Sequence, residues 1–383
     1  MKHSSVALVR CETYELAEVE SALGRGVELL GGLDRFVRPG EHILLKPNVL
    51  AGEDPEKAVT THPAVLEACT RLFRSAGAAV SFGDSPCAEG PEQGAERAGI
   101  YEAGLRAGAT FADFSDGRRM DNVGGGVSNG FSIAQPVHDC DGLVNLPKMK
   151  PHQLTRITGA VKNLFGCVPG RRKALYHVQH RDPFDFSRLL VEIAITVRPR
   201  LHVMDGVVAM EGNGPRGGDP RPMNVLILSQ DPVAVDATFC RLVAMDPTIV
   251  PTNSLGQSMG LGNLDLDRIE YVGHDLEGLK AADFEIVRKP VYRNASYAHF
   301  NLVKNLVLPK PVIDETNCVR CGRCVEACPV PGKALSFPDG DGRTAAPEYD
   351  YEACIRCYCC HETCPHRAID KRTPLLGRLL NLG

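Results

Sequence analysis

Residues 318–329 read CVRCGRCVEACP, and residues 354–365 read CIRCYCCHETCP. Each stretch contains four cysteines separated by two, two and three residues, the second holds a fifth at Cys359, and each closes with proline. The stretches superimpose at a constant offset of 36 residues, so they form an internal repeat that predicts two equivalent metal sites. The repeat also aligns residues outside the cysteines, namely Asp314 with Asp350, Arg320 with Arg356 and Glu326 with Glu362.

The cysteine spacing is that of ligands for [4Fe-4S] clusters. Three cysteines at two-residue intervals let one loop hold three corners of a cubane, and the fourth, followed by proline, ligates the other cluster. Cluster one is predicted on Cys318, Cys321, Cys324 and Cys364. Cluster two is predicted on Cys354, Cys357, Cys360 and Cys328. Zinc is the alternative, but zinc sites usually combine two separated Cys-x2-Cys pairs.

This segment resembles the bacterial two-cluster ferredoxin family over residues 312–370. The resemblance implies a small α+β domain that carries electrons. Cys359 departs from the family pattern as a ninth cysteine beside Cys360. It is either a spare thiol, which is the favoured interpretation, or an alternative ligand.

The rest of the composition is ordinary for a globular protein. A chain of 383 residues exceeds the size of one hydrophobic core, so we expect a large and a smaller domain. A net charge of -4 argues against a dedicated binder of nucleic acid or acidic membrane. No apolar run approaches the about 18 residues of a membrane span, and the N-terminus resembles a first strand rather than a signal peptide. Thiolate ligands need a reducing compartment, which predicts a cytoplasmic protein.

Before the cysteine-rich segment, short β-branched runs alternate with helical patterns over residues 1–287. This alternation predicts an α/β domain with a layered, mostly parallel sheet and helices on both faces. A connector is predicted at 288–311, the small α+β ferredoxin-like domain at 312–370, and a tail at 371–383. The predicted strands include 5–9, 42–45, 78–82, 142–146, 201–204 and 224–228, and the predicted helices include 63–75, 155–165 and 232–243.

Polar residues follow four of these strands where each is predicted to end. In parallel α/β sheets the ligand crevice lies beyond the carboxyl ends of the strands, so we expect these residues to converge. Lysines there suit an anionic substrate such as a carboxylate or phosphate, whereas carboxylates bind cations or move protons. The predicted substrate-binding residues are Lys46, Asn48, Lys148, Lys150, His152, Lys162 and Asn163. The candidate catalytic residues are Asp84, Asp205 and Glu211, the last two placed at and beyond the end of strand 201–204.

The segment 148–180 is unusually basic, and a basic surface face is the alternative to a binding site. His177 and His180 lie three residues apart, a spacing that permits metal binding on a helix, although their sequence neighbourhood offers no cysteine or carboxylate partner. Of the scattered cysteines, Cys87 and Cys167 lie near predicted polar loops.

The large domain resembles the family called domain of unknown function 362 over most of residues 5–275. Members of that family often carry a C-terminal ferredoxin domain, which supports a boundary near residue 285, but the resemblance implies no agreed reaction. The segments that carry it are Lys46-Pro47-Asn48, Asn145 to Lys150 with His152, Val161 to Gly166, Asp205-Gly206, Glu211 to Pro215 and Asp231 to Asp236.

We therefore expect an iron–sulfur oxidoreductase that passes electrons between an external carrier, either a redox partner protein or a small molecule, and an anionic substrate or cofactor. Two alternatives stay open. One is a non-catalytic electron carrier or maturation factor whose basic face docks a partner enzyme. The other is a non-redox, metal-assisted enzyme whose clusters are structural. No motif demands a flavin or a further metal.

Overall fold

The structure, a computed structural model, describes residues 3–87, 89–126, 128–170, 172–291 and 301–380. These residues form two domains, a large α/β domain and a small domain around the cysteine repeat. The strands are β1 (Ser4–Arg10), β2 (His42–Pro47), β3 (Ala79–Phe82), β4 (Thr110–Phe111), β5 (Gly117–Asp121), β6 (Gly130–Ala134), β7 (Gly142–Leu146), β8 (Pro151–His152), β9 (Arg156–Ile157), β10 (Leu201–Glu211), β11 (Asp219–Ser229), β12 (Ile269–Gly273), β13 (Lys310–Ile313), β14 (Leu335–Ser336), β15 (Glu348–Tyr349) and β16 (Ile369–Arg372).

Helices precede, separate and cover these strands. Several of them begin with a proline whose preceding residue caps the helix, as Asp231 does by accepting hydrogen bonds from the amides of Val233 and Ala234. The helices are α1 (Leu16–Leu29), α2 (Pro63–Ser75), α3 (Pro91–Arg97), α4 (Ile100–Arg106), α5 (Gln135–Asp139), α6 (Gly159–Asn163), α7 (Arg172–Gln179), α8 (Pro183–Val197), α9 (Pro232–Leu242), α10 (Pro251–Ser258), α11 (Asn301–Val307), α12 (Arg323–Ala327), α13 (Cys359–Thr363) and α14 (Leu375–Leu379).

The large domain is built on one eight-stranded sheet with the order β12-β1-β11-β10-β7-β2-β3-β4. Every neighbouring pair is parallel except the two that involve β11, so the sheet is mixed but mostly parallel, as predicted. Because successive side chains of a strand point to opposite faces, Leu44 packs into one hydrophobic cluster while Ile43 and Leu45 pack into the other. Helices cover both faces, and this burial on both sides explains the apolar strands.

The small domain repeats its backbone as well as its sequence. Helices α12 and α13 begin and end at positions related by the 36-residue offset of the cysteine repeat. The equivalent residues Arg320 and Arg356 both take a left-handed conformation, with φ of 58° and 57°. Two short antiparallel sheets, β13 with β16 and β14 with β15, complete this α+β domain.

The segments around the small domain are described in part. Of the predicted connector at 288–311, residues 292–300 lie outside the described residues, and α11 with the start of β13 occupies much of the remainder. Of the predicted tail, residues 381–383 lie outside the described residues, and α14 packs on α11. Among the residues described, no helix combines the length and apolar character needed to cross a membrane.

Two element predictions near the site are wrong. The predicted helix at 155–165 begins only at Gly159, because the carboxylate of Asp236 in α9 accepts hydrogen bonds from the amides of Ala160 and Val161 and fixes the first turn there. The predicted strand 201–204 continues to Glu211 as β10, because it pairs with β11 along its whole length, with an irregularity between Gly206 and Val208. Asp205 and Glu211 therefore lie within a strand and not in a loop beyond it.

Candidate functional site

A cavity of about 1330 Å³ lies between the two domains. It opens where β2, β3 and β7 end, which is the edge at which parallel α/β sheets bind ligands. The large domain contributes residues that include Lys46, Asn48, Asp84, Ser85, Cys87, Lys150, Thr158, Lys162, Asn163, Phe165, Lys173 and His177. The small domain closes the opposite side with residues that include Arg323, Cys328, Lys333, Cys359 and Glu362.

Buried amides and one ion pair form the wall of the cavity at the end of β2. The Lys46 ammonium lies 2.8 Å from Asp84 Oδ1 and donates to Asn163 Oδ1 at 3.1 Å. Asn163 Oδ1 also accepts from Asn48 Nδ2 at 2.7 Å. A Cβ atom at Gly166 would overlap both Lys46 and Asp84, so only glycine leaves room for the pair at that position. This network holds the polar lining in one arrangement.

Lys150 is fully buried beside this network. Its ammonium donates to Asn48 Oδ1 at 2.8 Å and to the carbonyl of Val59 at 2.5 Å. An ammonium has three donors, so one N–H has no acceptor among the described residues. Burial, followed by repulsion from Lys162, lowers the pKa of Lys150 well below its ordinary value. An anion in the cavity would offset both effects.

Two further polar groups of the lining lack partners. Lys162 makes no hydrogen bond or ion pair with the residues that the structure describes. The hydroxyl of Thr158 is buried and likewise has no hydrogen-bond partner there. Thr158 immediately precedes α6 and Lys162 lies within it, and Asp236 positions the first turn of this helix. The two polar groups without partners are therefore held by one element.

The small domain reaches into the site through Glu362. Its Oε1 lies 2.7 Å from Nε2 of His152, which is buried. Because His152 Nδ1 accepts from the amides of Leu154 and Thr155, the ring proton belongs on Nε2 and is donated to Glu362. Burial lowers the pKa of His152 to about 4 and keeps it neutral at pH 7. Burial alone would raise the pKa of Glu362, but Lys162 and His152 outweigh it and lower that pKa.

Lys173 and His177 complete one side of the lining. Lys173 donates to the carbonyl and hydroxyl oxygens of Ser85 and to the carbonyl of Pro86, so it fastens α7 to the loop after β3. Burial lowers the pKa of Lys173 to about 8. Burial also lowers the pKa of His177 to about 3, and its ring stacks on Phe186 with centroids 4.3 Å apart. Neither His177 nor His180 belongs to a group of three or more metal-ligand side chains among the described residues.

The structure brings most, but not all, of the predicted binding residues to the cavity. Lys46, Asn48, Lys150, Lys162, Asn163 and Asp84 line it, and His152 touches it through Glu362. Lys148 instead forms a separate buried ion pair with Asp205 at 2.7 Å, to which the hydroxyl of Tyr14 also donates. Glu211 lies at the far end of β10, where it accepts from the amide of Glu285.

The alternative interpretation of segment 148–180, a basic surface face, does not hold for its first part. Lys148, Lys150, His152 and Arg156 are each at most 5% exposed. Glu362, Ser85 and Thr158 were not identified from the sequence as site residues. Glu362 lies inside the second cysteine motif, where its only sequence signal was its repeat equivalence to Glu326.

The cysteines group around two small cavities of the small domain. Cys318, Cys321, Cys324 and Cys364 line one, and Cys328, Cys354, Cys357 and Cys360 line the other. These are the two predicted quartets, so the donor sets fit two cubane clusters. The first cavity is nearer the surface, since Cys321 is exposed, whereas Cys354 and Cys360 are buried. Cys359 faces the interdomain cavity and does not line either small cavity.

The fold and the cysteine sets define a two-domain iron–sulfur protein, a layered α/β domain followed by a ferredoxin-type domain. The chain belongs to the family described as domain of unknown function (DUF362), whose model matches residues 43–241. A 4Fe-4S dicluster domain matches residues 310–368.

The chain is similar to a thylakoid-associated protein of Synechocystis sp., with 36% identity over 258 residues that cover 67% of this chain and 80% of that protein. Among solved structures it is similar to a lactate racemase apoprotein from Thermoanaerobacterium thermosaccharolyticum, at 13% identity and a TM-score of 0.41 over 63% of this chain and 57% of that one. It is also similar to a structural genomics target from Thermotoga maritima, at 12% identity and a TM-score of 0.36 over 66% and 61%. The chain thus spans less than two thirds of either solved structure.

Proposed function

We propose that this protein is a cytoplasmic iron–sulfur oxidoreductase that passes electrons between an external carrier and an anionic ligand in the interdomain cavity. One observation carries the proposal. The same cavity is lined by buried lysines on one side and by Cys328, a predicted ligand of cluster two, on the other. A ligand held there would lie against the iron–sulfur domain.

The proposed roles of the residues follow from their contacts. The two cysteine quartets would hold two [4Fe-4S] clusters, which supply single-electron transfer when bound. Lys150 and Lys162 bind the anion, and the network of Lys46, Asp84 and Asn163 keeps the lining rigid. The small domain forms the opposite wall of the cavity, so a ligand held by the lysines would lie between the two domains.

The surface around cluster one suits an external carrier. Cys321 is exposed and Cys318 is half-buried, so the loop that contains them is open to a docking partner. Thiolate ligands persist in reducing compartments, and this supports a cytoplasmic location.

The test uses anaerobically purified protein. We expect about eight irons per chain, together with an acidic small molecule that dissociates on denaturation and is identified by mass spectrometry. After chemical reduction of the protein, that molecule should reoxidise it in a rapid-mixing experiment. Clusters that react with protein carriers but not with any bound small molecule would contradict the oxidoreductase proposal.

A further inference from the structure

The buried charges of the cavity do not balance. Four lysines line it, Lys46 and Lys150, which are buried, and Lys162 and Lys173, which are partly exposed. Three carboxylates with buried side chains face them, those of Asp84, Glu89 and Glu362, but Glu89 is already paired with Arg97 at 2.5 Å and adds nothing to the balance. His177 is neutral at pH 7, because burial holds its pKa to about 3. The lining therefore carries two more positive than negative charges. Charges that face solvent at the rim, such as those of Arg323 and Lys333, are screened and are not part of this balance.

The excess belongs to two particular lysines. Lys46 is paired with Asp84 at 2.8 Å, and Lys173 is enclosed by three oxygens of Ser85 and Pro86. Neither Lys150 nor Lys162 has a carboxylate within ion-pair distance among the described residues. Lys150 is fully buried and Lys162 is partly exposed beside it. An uncompensated buried charge is costly, so a fold that places a second unpaired lysine next to it is typical of a binding site.

A third donor lies in the same lining. Thr158 is 4% exposed, and its buried hydroxyl has no hydrogen-bond partner among the described residues. Buried polar groups are nearly always hydrogen-bonded, so an orphaned hydroxyl at a cavity wall indicates a missing acceptor. Thr158 precedes α6, and Lys162 lies one turn further along, so both face the cavity from one element.

We infer that Lys150, Lys162 and Thr158 together bind the anionic group of the ligand. We further infer that this ligand carries two negative charges, as a phosphate or a dicarboxylate does. This inference rests on the proposed function for its site. The two lysine charges and the ligand charge would cancel, and the hydroxyl and the free N–H groups would donate to the ligand oxygens.

A cluster held in part by Cys328 would itself be negatively charged, so the alternative is that the lysines balance the cluster alone. The two explanations differ in one respect. If the lysines serve the cluster only, their removal changes cluster content or potential and leaves anion binding absent or unchanged. If they serve a ligand, their removal weakens the binding of a dianion while the iron content stays the same.

The experiment is anaerobic calorimetry on the cluster-loaded protein at pH 7.5, with inorganic phosphate, succinate and acetate as probes. We expect a dianion to bind and acetate to bind at least tenfold more weakly. Lys162→Met should weaken dianion binding at least tenfold, since Lys162 makes no internal contact whose loss would disturb folding. Thr158→Val should weaken it about threefold, which corresponds to one neutral hydrogen bond. Lys280→Met, at an exposed lysine outside the cavity, is the control and should change nothing.

Equal affinity of phosphate for the wild type and Lys162→Met would overturn the inference, as would the absence of binding by either dianion below about 10 mM. Either result would leave the proposed electron transfer standing, because rapid reoxidation by a co-purified molecule tests it separately. Conversely, dianion binding without any redox reaction would retain the site and remove the oxidoreductase function. Lys150→Met provides a second measurement, and its iron content and circular dichroism spectrum establish that it folds.

Discussion

At the residue scale, the charge of the cavity comes mainly from its lysines, and the partner of each lysine decides what it does. Lys46, Lys150 and Lys162 were predicted at the site from their places after strands and in family motifs, and each lines the cavity. Lys148 belongs to the same motif as Lys150, but the two side chains have different partners. Lys148 pairs with Asp205, whereas Lys150 donates to Asn48 at the cavity. Glu362 could not be found at all, since its approach to His152 joins residues 210 positions apart.

The first residue-scale prediction concerns the two adjacent cysteines of the second motif. Cys360→Ser should lose the iron of cluster two, about four of eight atoms per chain, because its thiolate is one of the four that line that cavity. Cys359→Ser should retain all the iron, because Cys359 faces the interdomain cavity. Iron and labile sulfide analysis of both variants, purified anaerobically side by side, provides the measurement. Loss of half the iron from Cys359→Ser would make Cys359 the ligand.

At the element scale, the strands and helices of the large domain were largely predictable. The helices predicted at 63–75 and 232–243 are found at Pro63–Ser75 and Pro232–Leu242. The predictions failed where an element depends on a distant residue. Helix α6 begins at Gly159 because Asp236 caps it from α9, and β10 runs to Glu211 because β11 pairs with it. Local patterns contain neither contact.

The carboxylate of Asp236, which caps α6, should make the stability of the protein depend on pH. Burial raises the pKa of Asp236 to about 7, above its ordinary value, despite the two amides that donate to it. The folded state therefore binds this proton more tightly than the unfolded state. Its contribution is fully present below the unfolded pKa of about 4 and is lost as the pH rises through about 7. The loss amounts to about 4 kcal/mol.

The measurement is the difference in stability between the wild type and Asp236→Asn, which lacks the titrating group. Thermal unfolding at pH 5 and pH 8 should show that the wild type loses stability relative to the variant as the pH rises. Groups common to both proteins cancel in the difference. A difference that stays constant between the two pH values would mean that Asp236 is ionised throughout.

At the scale of the whole molecule, the cavity exists because the two domains meet through polar contacts. Arg216 links Glu53 of the large domain, at 2.5 Å, to the carbonyl of Thr363 in the small one, at 2.8 Å. His361 and Asn213 form a further link at 2.7 Å. The cysteine repeat predicted the small domain, and the alternating pattern predicted the large one, but neither specifies which surfaces meet. The cavity is therefore the part of the site that sequence alone could not supply.

Because Cys328 lines the interdomain cavity, an anion bound there should affect the reduction of a cluster held by that cysteine. An anion held by Lys162 and an electron added to the adjacent domain are both negative and repel each other across the short distance between them. Because the coupling free energy is reciprocal, an anion that makes reduction of the cluster less favourable must bind more weakly to the reduced protein. Anion binding should therefore lower the midpoint potential of the nearer cluster and leave that of the farther one almost unchanged.

The most direct test of the account is an anaerobic redox titration of the clusters, followed by electron paramagnetic resonance, with saturating phosphate and with chloride at equal ionic strength. In the wild type we predict that phosphate lowers the midpoint potential of one cluster, and that Lys162→Met abolishes most of this shift while keeping the full iron content. Identical potentials in phosphate and chloride, or equal shifts of both clusters in the two proteins, would contradict the claim that the interdomain cavity is an anion site coupled to the iron–sulfur domain.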